Sequence, residues 1–564
     1  MSPSANVMTK TKRLILAAVI GTVLTALSYY VILPPLNIYS TGFWTYLIAV
    51  ICFYGLPLSF ASAKDKKKDS AENKGKGKDS PIRLNVNFRA NKIFVIAALI
   101  PVAVLILGGI FSSTFFNAIS YSDVIRENIV TDDFAKDMPE ADVVSDISLM
   151  DTDSAAIIGN RKLGELANVV SQYELSHDYN QINYKNTPKK VANLEYVDFF
   201  RWINNSDAGI PGYVMVDPVN SSADYVEFTT PMKYVDSAYF GEDLMRKLRF
   251  SYPTKIFSTV NFEVDDNGNP FFVVSCVQPR VGLFGAMDVN EVIIFNPCDG
   301  TSELKSVEET PSWVDNVYDG GLACEKYDWY GTLSDGFWNS VIGKKNCRVT
   351  TDGYGYIVRD DDVWYFTGVT SVTSDESNIG FIISNARTGA YKYYPVVGAE
   401  EYSAMGAAQG EVQEKGYVAS FPSLINVKGQ ATYIMVLKDA NGLVKLYALV
   451  NAENYTIVAT GETQKAAKEA YLAELIEKGV IQNVVITPEV ETKTADVTVK
   501  TVRLATVAGE TVVYITAEDG VVYRGALATD ESLILISDGD QITVTYSETD
   551  NFSIRAITAW KFTD

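Results

Sequence analysis

The chain carries a single histidine, His177, in Glu174-Leu175-Ser176-His177-Asp178-Tyr179, so any Ser-His or Cys-His relay would have to run through that one imidazole. Its neighbours are polar, and an ordinary surface histidine is the expected role. No G-x-S-x-G elbow, H-E-x-x-H pair or phosphate-binding loop occurs. Asp265-Asp266-Asn267-Gly268-Asn269 offers oxygen ligands at alternate positions, as a calcium loop does. Gly268 in the fourth place and Cys276 in the twelfth break that pattern, and a hairpin turn explains the run. Asp360-Asp361-Asp362 lies between two strand-like stretches, Tyr354 to Val358 and Val363 to Phe366, where a turn again suffices. Paired carboxylates cleave glycosides, but no pair is singled out among so many acids. The sequence proposes no catalytic residue, no metal-ligand set and no cofactor.

Two other groups could act at a surface. Cys276, Cys298, Cys324 and Cys347 allow three pairings, and at least one disulfide among them is expected. They lack close C-x-x-C spacing, which with one histidine makes zinc a poor fit. Trp329, Tyr330, Phe337 and Trp338, with Leu283 and Phe284 of a glycine-flanked apolar loop, form the candidate partner surface. Exposed, they suit glycan stacking or a protein partner; buried in a sheet-packed core, the more economical reading, they carry no function.

The elements that must position these residues begin with three apolar runs, Leu14 to Leu33, Phe43 to Phe60 and Ile93 to Phe116. Each is close to the ~20 residues that cross a hydrocarbon core ~30 Å thick. Cys52 falls in the second run, and no Asp, Glu, Lys or Arg lies inside any of them, which argues against an intramembrane proton or ion path. Lysines 64, 66, 67, 68, 74, 76 and 78 crowd the linker between the second and third runs. By the positive-inside rule that linker and the N-terminus are cytoplasmic, and everything after Phe116 is extracytoplasmic. A cleaved signal peptide is the competing reading of the first run. Gly55 and Pro57 leave a re-entrant reading of the second, which would reverse the topology. Up to residue 117 there are 13 Lys and Arg against 4 Asp and Glu, so of totals of 48 and 69 the remainder holds 35 and 65. An ectodomain so acidic excludes nucleic acid as a partner.

The expected fold class is α+β: transmembrane helices, then a mostly antiparallel-β ectodomain of several modules ending in a small β-barrel. The boundaries are a membrane domain at 1–117 with a basic linker at 61–92, a stalk and helix at 118–182, β-rich regions at 183–310 and 311–482, and a barrel at 488–564. Asp151 or Asp153 caps the helix after the stalk, and Thr463 and Gly479 bound another. One phrase recurs four times: an apolar strand meets Asp or Asn, then Pro or Ala, then a polar turn and a second strand. The copies centre on Asp217, Asn296, Asn385 and Asn451, with Gly300 and Gly389 supplying positive φ. After Thr487 come Val497 to Val507, Thr511 to Thr516, Val521 to Leu527, Leu533 to Ile536, Ile542 to Tyr546 and Ile554 to Trp560, five or six short strands suited to a closed barrel.

On these residues, Phe240 to Val307 resembles a PepSY-type module: Leu244 to Leu248 as helix, Phe271 to Cys276 as strand, and Ile293 to Leu304 as closing hairpin. Ile382 to Tyr394 looks like a second such ending, with Asn385 and Gly389 in the Asp and Gly places. The C-terminal segment is similar to an OB-fold. The layout also resembles an uncharacterised family of Gram-positive envelope membrane proteins. PepSY modules are associated with envelope proteins and with restraint of secreted peptidases. With a large modular β surface and no catalytic signature, and with the envelope placement that the resemblance implies, the expected function is a non-enzymatic, membrane-anchored binding, scaffold or regulatory protein of the bacterial envelope. The lipid bilayer, a protein partner or a second copy, and cell-wall glycan are its expected partners. A carboxylate-dependent cell-wall glycan hydrolase and an accessory subunit of a larger membrane complex are the alternatives.

Overall fold

Short β-branched and aromatic runs punctuated by Asp, Asn and Gly fold into four mostly antiparallel sheets, and a helix precedes each one. A computed structural model describes residues 10–71, 92–141, 147, 149–372, 374–481, 492–507, 510–527, 530–548 and 554–563. The chain divides into two units, Met1–Gln482 and Asn483–Asp564. In the larger unit, helix Thr152–Gly164 precedes the first sheet, whose main strands are Thr187–Tyr196, Ile210–Asp217 and Ser222–Met232. Leu244–Ser251 precedes the second, a meander of Ile256–Val264, Pro270–Val281, Gly285–Phe295 and Ser302–Ser306. Gly320–Leu333 leads to the third, built on Asp362–Ser371, Ser374–Asn385 and Tyr391–Tyr394, and Glu401–Glu411 to the fourth, built on Gln430–Lys438, Val444–Asn451 and Val458–Gly461. The first three helices start at an aspartate whose carboxylate accepts a backbone N–H one turn on: Asp151 from Ser154, Asp243 from Arg246 and Asp319 from Leu322.

The recurring Asp/Asn phrase closes the hairpin between the last two strands of each sheet. Asn296 and Asn385 repeat one geometry: the side-chain oxygen accepts the N–H two residues on, from Cys298 and Arg387, both at 2.9 Å. Gly300 and Gly389, at φ +75° and +71°, each donate their N–H back to the asparagine carbonyl at 2.9 Å. The residue after asparagine has a second task. The carbonyl of Pro297 accepts from Lys233 and Tyr234, that of Ala386 from Val317 and Tyr318, and that of Ala452 from Ala399. In each case the donor belongs to the segment that leads into the same unit's helix. The first and last parts of three units are thus clasped by backbone bonds to one carbonyl.

Cores form between successive sheets. Val214, Tyr213, Phe262, Phe272 and Phe295 fill the space shared by the first and second, and Phe366, Phe381, Tyr394, Tyr433 and Val450 that shared by the third and fourth. The capped helix Gln464–Glu477 covers the outer face of the fourth sheet through Tyr471 and Leu475.

The segment expected to be an extended stalk is instead bound into the sheets. Ile129–Thr131 pairs in parallel with Tyr391 to Tyr393, and Asp137, ending the short helix Phe134–Asp137, accepts from Arg359 (2.8 Å), Lys392 (2.6 Å) and Tyr394 (2.6 Å). Those donors, Arg359 first, hold the Asp137 carboxyl well below the usual carboxylate range.

Among the described residues, two helices are long and apolar enough to cross a membrane, Ile15–Ile32 within Lys10–Ile32 and Lys92–Phe111; the apolar stretch Thr41–Pro57 of helix Thr41–Ala71 is shorter. The middle helix packs on both others. Gly21 admits the Tyr54 ring, Gly55 admits Phe94, and Thr22 shares a 3.0 Å bond with the Tyr54 hydroxyl. The C-terminal ends of the outer two both reach the folded sheets. Leu33 O accepts from Arg249 at 2.9 Å, Leu36 N donates to Pro253 O at 2.7 Å, and Ser112 Oγ accepts from the N–H groups of Leu283 and Phe284 at 2.8 and 3.0 Å. Of the lysine-rich linker, residues 72–91 lie outside the described residues.

The smaller unit is a closed barrel of Thr492–Val507, Glu510–Ala517, Val522–Ala526, Ile554–Phe562 and Gln541–Glu548, in that order around the wall. The long first strand closes it by pairing with Gln541–Glu548 along its first half and Glu510–Ala517 along its second. Leu533 to Ile536, expected as a strand, is instead part of a 3-10 turn, Glu531–Leu535. Asp530 caps it, and it buries Leu533 and Ile536 in the barrel core.

Removing the asparagine from a clasped hairpin should be costly. Asn385→Ala is expected to lower unfolding stability by about 1–2 kcal/mol through two lost side-chain bonds to backbone N–H groups. Gly389→Ala should cost at least as much, because its Cβ would adopt φ +71° and lie 2.8 Å from the Tyr318 ring, whereas Gly241→Ala, with nothing within 4 Å, should be near neutral. Denaturant titration of the three variants tests this, and an Asn385→Ala curve identical to wild type would remove the clasp from the stability argument.

Candidate functional site

Strand Asn180–Tyr184 meets Thr187–Tyr196 in a register that pairs Gln181 with Lys190, so both side chains leave the first sheet on the same face. The neighbouring Lys189 points the other way and pairs with Asp217 at 2.7 Å. Gln181 and Lys190 are both 2% exposed. They face the place where the first, second and third sheets converge.

Buried polar groups hold that junction. The Glu263 carboxylate, wholly buried, accepts the N–H groups of Asp315 (2.8 Å) and Asn316 (2.9 Å) and the Asn316 side-chain amide, which also donates to Gln181 O at 2.9 Å. Asp315 accepts from the Asn183 N–H at 2.6 Å, and the Asn183 amide donates to Asp361 at 2.7 Å. Strands of all three sheets are thereby linked. Burial pushes both acids up, and the charge of Glu263 raises Asp315 further. Asp315 Oδ1, Asn183 Oδ1 and Thr259 Oγ1 are buried with no hydrogen-bond partner among the described residues.

Three cavities open here, and Gln181 and Tyr356 line all of them. One of ≈ 420 Å³ is walled by His177, Asp178, Asn261, Asp319, Tyr354 and Tyr365. A second, of ≈ 440 Å³, runs between Met138, Pro188, Arg359 and Leu424, and the third, of ≈ 130 Å³, holds Lys190, Asp151 and Phe421. The Lys190 ammonium sits 5.2 Å from the Tyr356 ring centroid and has no hydrogen bond or ion pair among the described residues. Asp151, the nearest acid to act on it, is bound to Lys438 and to Ser154. Burial pushes Lys190 from 10.5 down to about 8. The arrangement offers one desolvated cation, two amide side chains and a wall of tyrosine rings. It suits a polar ligand with an anionic group.

The sequence-selected residues lie elsewhere. Leu283, Phe284, Phe337 and Trp338 gather around the end of Lys92–Phe111: Leu283 and Phe284 against Gly108 and Ser112, and Phe337 and Trp338 with ring centroids 5.1 and 5.9 Å from Phe115. Trp329 packs edge-on against Tyr121 at 5.1 Å, and Tyr330 lies under Arg348. Only Trp338 of the six is strongly exposed, at 64%. His177 is exposed at the rim of the larger polar cavity. Asp265 accepts the N–H groups of Asn267 and Asn269, and Asp360 and Asp361 occupy a turn at φ +53° and +64°.

The expected disulfide is absent: all five cysteines are free. The four outside the apolar runs stand on separate elements. Cys276 lies in strand Pro270–Val281, Cys324 in helix Gly320–Leu333, Cys298 against Thr230 O at 3.1 Å, and Cys347 against Thr332 O at 3.5 Å. Burial pushes the thiols of Cys276 and Cys324 up to about 12. Gln181 and Lys190 escaped the sequence reading because their partners are distant in sequence; the one local signal was a lysine at an inward position of a strand.

No family profile and no curated protein matches this chain. Among solved structures, an endo-arabinase from Bacteroides thetaiotaomicron VPI-5482 aligns with 49% of this chain and 74% of its own length, at 11% identity and a TM-score of 0.16. A likeness at that level assigns neither a family nor an activity.

A lysine whose pKa falls on folding opposes folding while it is charged. Between about pH 8 and 10.5 the unfolded chain binds more protons at this position, so stability rises with pH there. Lys190→Met should raise stability at pH 7 by up to about 3 kcal/mol and remove that rise. Thermal melts from pH 7 to 10.5 test it, and a destabilised variant with an unchanged pH slope would contradict it.

Proposed function

We propose that this is a membrane-anchored extracytoplasmic binding protein of the bacterial envelope, whose ligand seat is the three-sheet junction at Lys190. The observation that carries the reading is a buried ammonium that makes no hydrogen bond or ion pair among the described residues and lines the smallest of three neighbouring cavities. Such a group is kept at a cost in stability that a ligand carboxylate would offset. The tyrosine walls and amides beside it favour a sugar ring, so the ligand is a cell-wall glycan bearing a carboxylate.

The three-span topology is part of this proposal. The outer apolar helices deliver their C-terminal ends to the same folded body and the middle helix packs between them, an arrangement that supports a chain returning across the bilayer. With the lysine-rich linker cytoplasmic, the sheets lie outside. The helix-led meanders and their clasped asparagine hairpins support PepSY-like modules, and the barrel's strand order, with its third and fifth strands parallel, supports an OB-type barrel.

Calorimetry on the detergent-solubilised full chain should show binding of a cell-wall disaccharide carrying the N-acetylmuramic acid carboxylate and none of the neutral N-acetylglucosamine dimer. Lys190→Met should abolish that preference. Equal binding of both sugars, or an unaffected variant, would sink the assignment. Release of sugar from cell wall, lost in Asp178→Asn or Asp319→Asn, would establish the hydrolase alternative in its place. On topology, protease added to intact protoplasts should cut the sheets or barrel and spare the linker near Lys74; the reverse pattern would invert the orientation.

A further inference from the structure

Two groups of large apolar side chains stand exposed, one beside each outer apolar helix where it joins the folded sheets. The first surrounds the end of Lys10–Ile32. Helix Leu244–Ser251 is fixed there by Arg246, whose guanidinium lies 4.2 Å from the Tyr30 ring centroid and donates to Tyr30 O, and by Arg249. Phe250, on that helix, has its ring 5.9 Å from Tyr29. Arg246 also donates to Phe240 O at 2.6 Å, and the Phe240 ring meets Trp202 at 5.7 Å. Helix Phe199–Asn205 then adds Phe200 and Ile203. Phe200, Ile203, Phe240 and Phe250 are between 54% and 68% exposed. The second group surrounds the end of Lys92–Phe111. Phe115 and Phe116 follow that helix, Trp338 stacks edge-on against Phe115, and the turn Asn339–Gly343 presents Val341 and Ile342, Ile342 being 74% exposed. Exposed Lys344 and Lys345 come directly after.

Scattered exposed apolar residues need no explanation, but contiguous aromatic and aliphatic groups of this size do. Their positions supply it. Each is continuous, through ring contacts and hydrogen bonds, with the end of a helix apolar enough to cross a bilayer. Aromatic residues at that level, with lysines beside them, have the composition of the interfacial belt between hydrocarbon and water.

We infer that these two patches are lipid-contacting feet: they insert into the headgroup and upper acyl region of the outer leaflet and fix the sheets against the membrane at two points. Insertion at such depths is ~5–10 Å. This rests on the anchoring reading above, which concerns the helices, and goes beyond it by assigning the ectodomain's own surface to the bilayer. Trp338 and Phe337, selected in the sequence as a partner surface, thereby face lipid in place of a glycan or protein.

Full-length protein reconstituted in phosphatidylcholine–phosphatidylglycerol liposomes that carry a diazirine lipid labelled near the glycerol, then photolysed and mapped by mass spectrometry, tests the inference. Adducts are expected on residues 338–342 and on 200–203 or 240, and those at 338–342 should be lost in a Trp338→Asp, Ile342→Asp double variant whose melting curve is otherwise unchanged. Adducts on Lys92–Phe111 but at neither patch would overturn the inference while leaving the anchor intact. Protein–protein crosslinks through the patches in place of lipid adducts would overturn it also, making them a self-association surface. Absence of adducts on the helix as well would overturn the anchoring reading itself.

Discussion

Backbone bonds to one carbonyl in three of the four closing hairpins hold the larger unit's architecture. Pro297, Ala386 and Ala452 accept from the segments that lead into their own units, so the second, third and fourth sheets are each locked end to start. A meander of four strands exposes two edges and is only marginally stable alone. Tying its first segment to its last turn makes each of these three modules a closed unit, and the tie uses main-chain groups that would otherwise need another partner. The side-chain chemistry is then free to vary, and it does. Asn385 caps its turn with bonds to Arg387 and Thr388, and Asp217 does so with Val219 and Asn220 while also holding Lys189.

The modules are joined by polar groups where a hydrophobic seam would have been simpler. Glu263 is buried completely and is satisfied mainly by the backbone of the Asp315-Asn316 segment, so it fixes the approach of one sheet to another with directional bonds. Among the described residues, that polarity leaves buried oxygens without a hydrogen-bond partner near cavities of several hundred cubic ångströms and an unpaired ammonium beside one of ≈ 130 Å³. A stability-optimised junction would have filled this space with Leu and Phe. Retaining Lys190 there is the kind of local conflict that marks a site used for something other than folding.

Local signals made much of this legible in the sequence. The apolar helices, the Asp151 and Thr463 caps and the four Asp/Asn hairpins each depend on residues within a few positions of one another, and the structure has them where the patterns put them. The Asp265 and Asp361 turns likewise followed from neighbours. What failed depended on distance. Residues 121–150 read as a stalk because Ile129–Thr131 and Asp137 find their partners at Tyr391, Arg359 and Lys392, none of which the local pattern announces. Leu533 to Ile536 has strand composition but closes a barrel end, where a 3-10 turn buries the same side chains. The cysteines suggested bonds only because of where the chain was placed; the four outside the apolar runs stand on separate elements, Cys298 against Thr230 and Cys347 against Thr332. The junction was illegible for the same reason as the stalk, since Gln181, Glu263, Asp315 and Tyr356 come from three separate sheets.

The parallel pairing of Ile129–Thr131 with Tyr391 to Tyr393 also sets an order of assembly. The short strand is synthesised directly after the last apolar helix, yet its partner emerges only after the first two sheets and most of the third have been made. Helix Phe134–Asp137 waits likewise for Arg359 and Lys392, and Asn426 for the carbonyl of Met138. The first two sheets can therefore mature on the growing chain, while the stretch joining them to the apolar helices remains unclaimed until its late partners arrive. A polypeptide truncated before residue 391 would keep its early modules but lose the strap that binds them to the third sheet. Completion of the domain is thus registered, in the end, at the residues nearest the apolar helices.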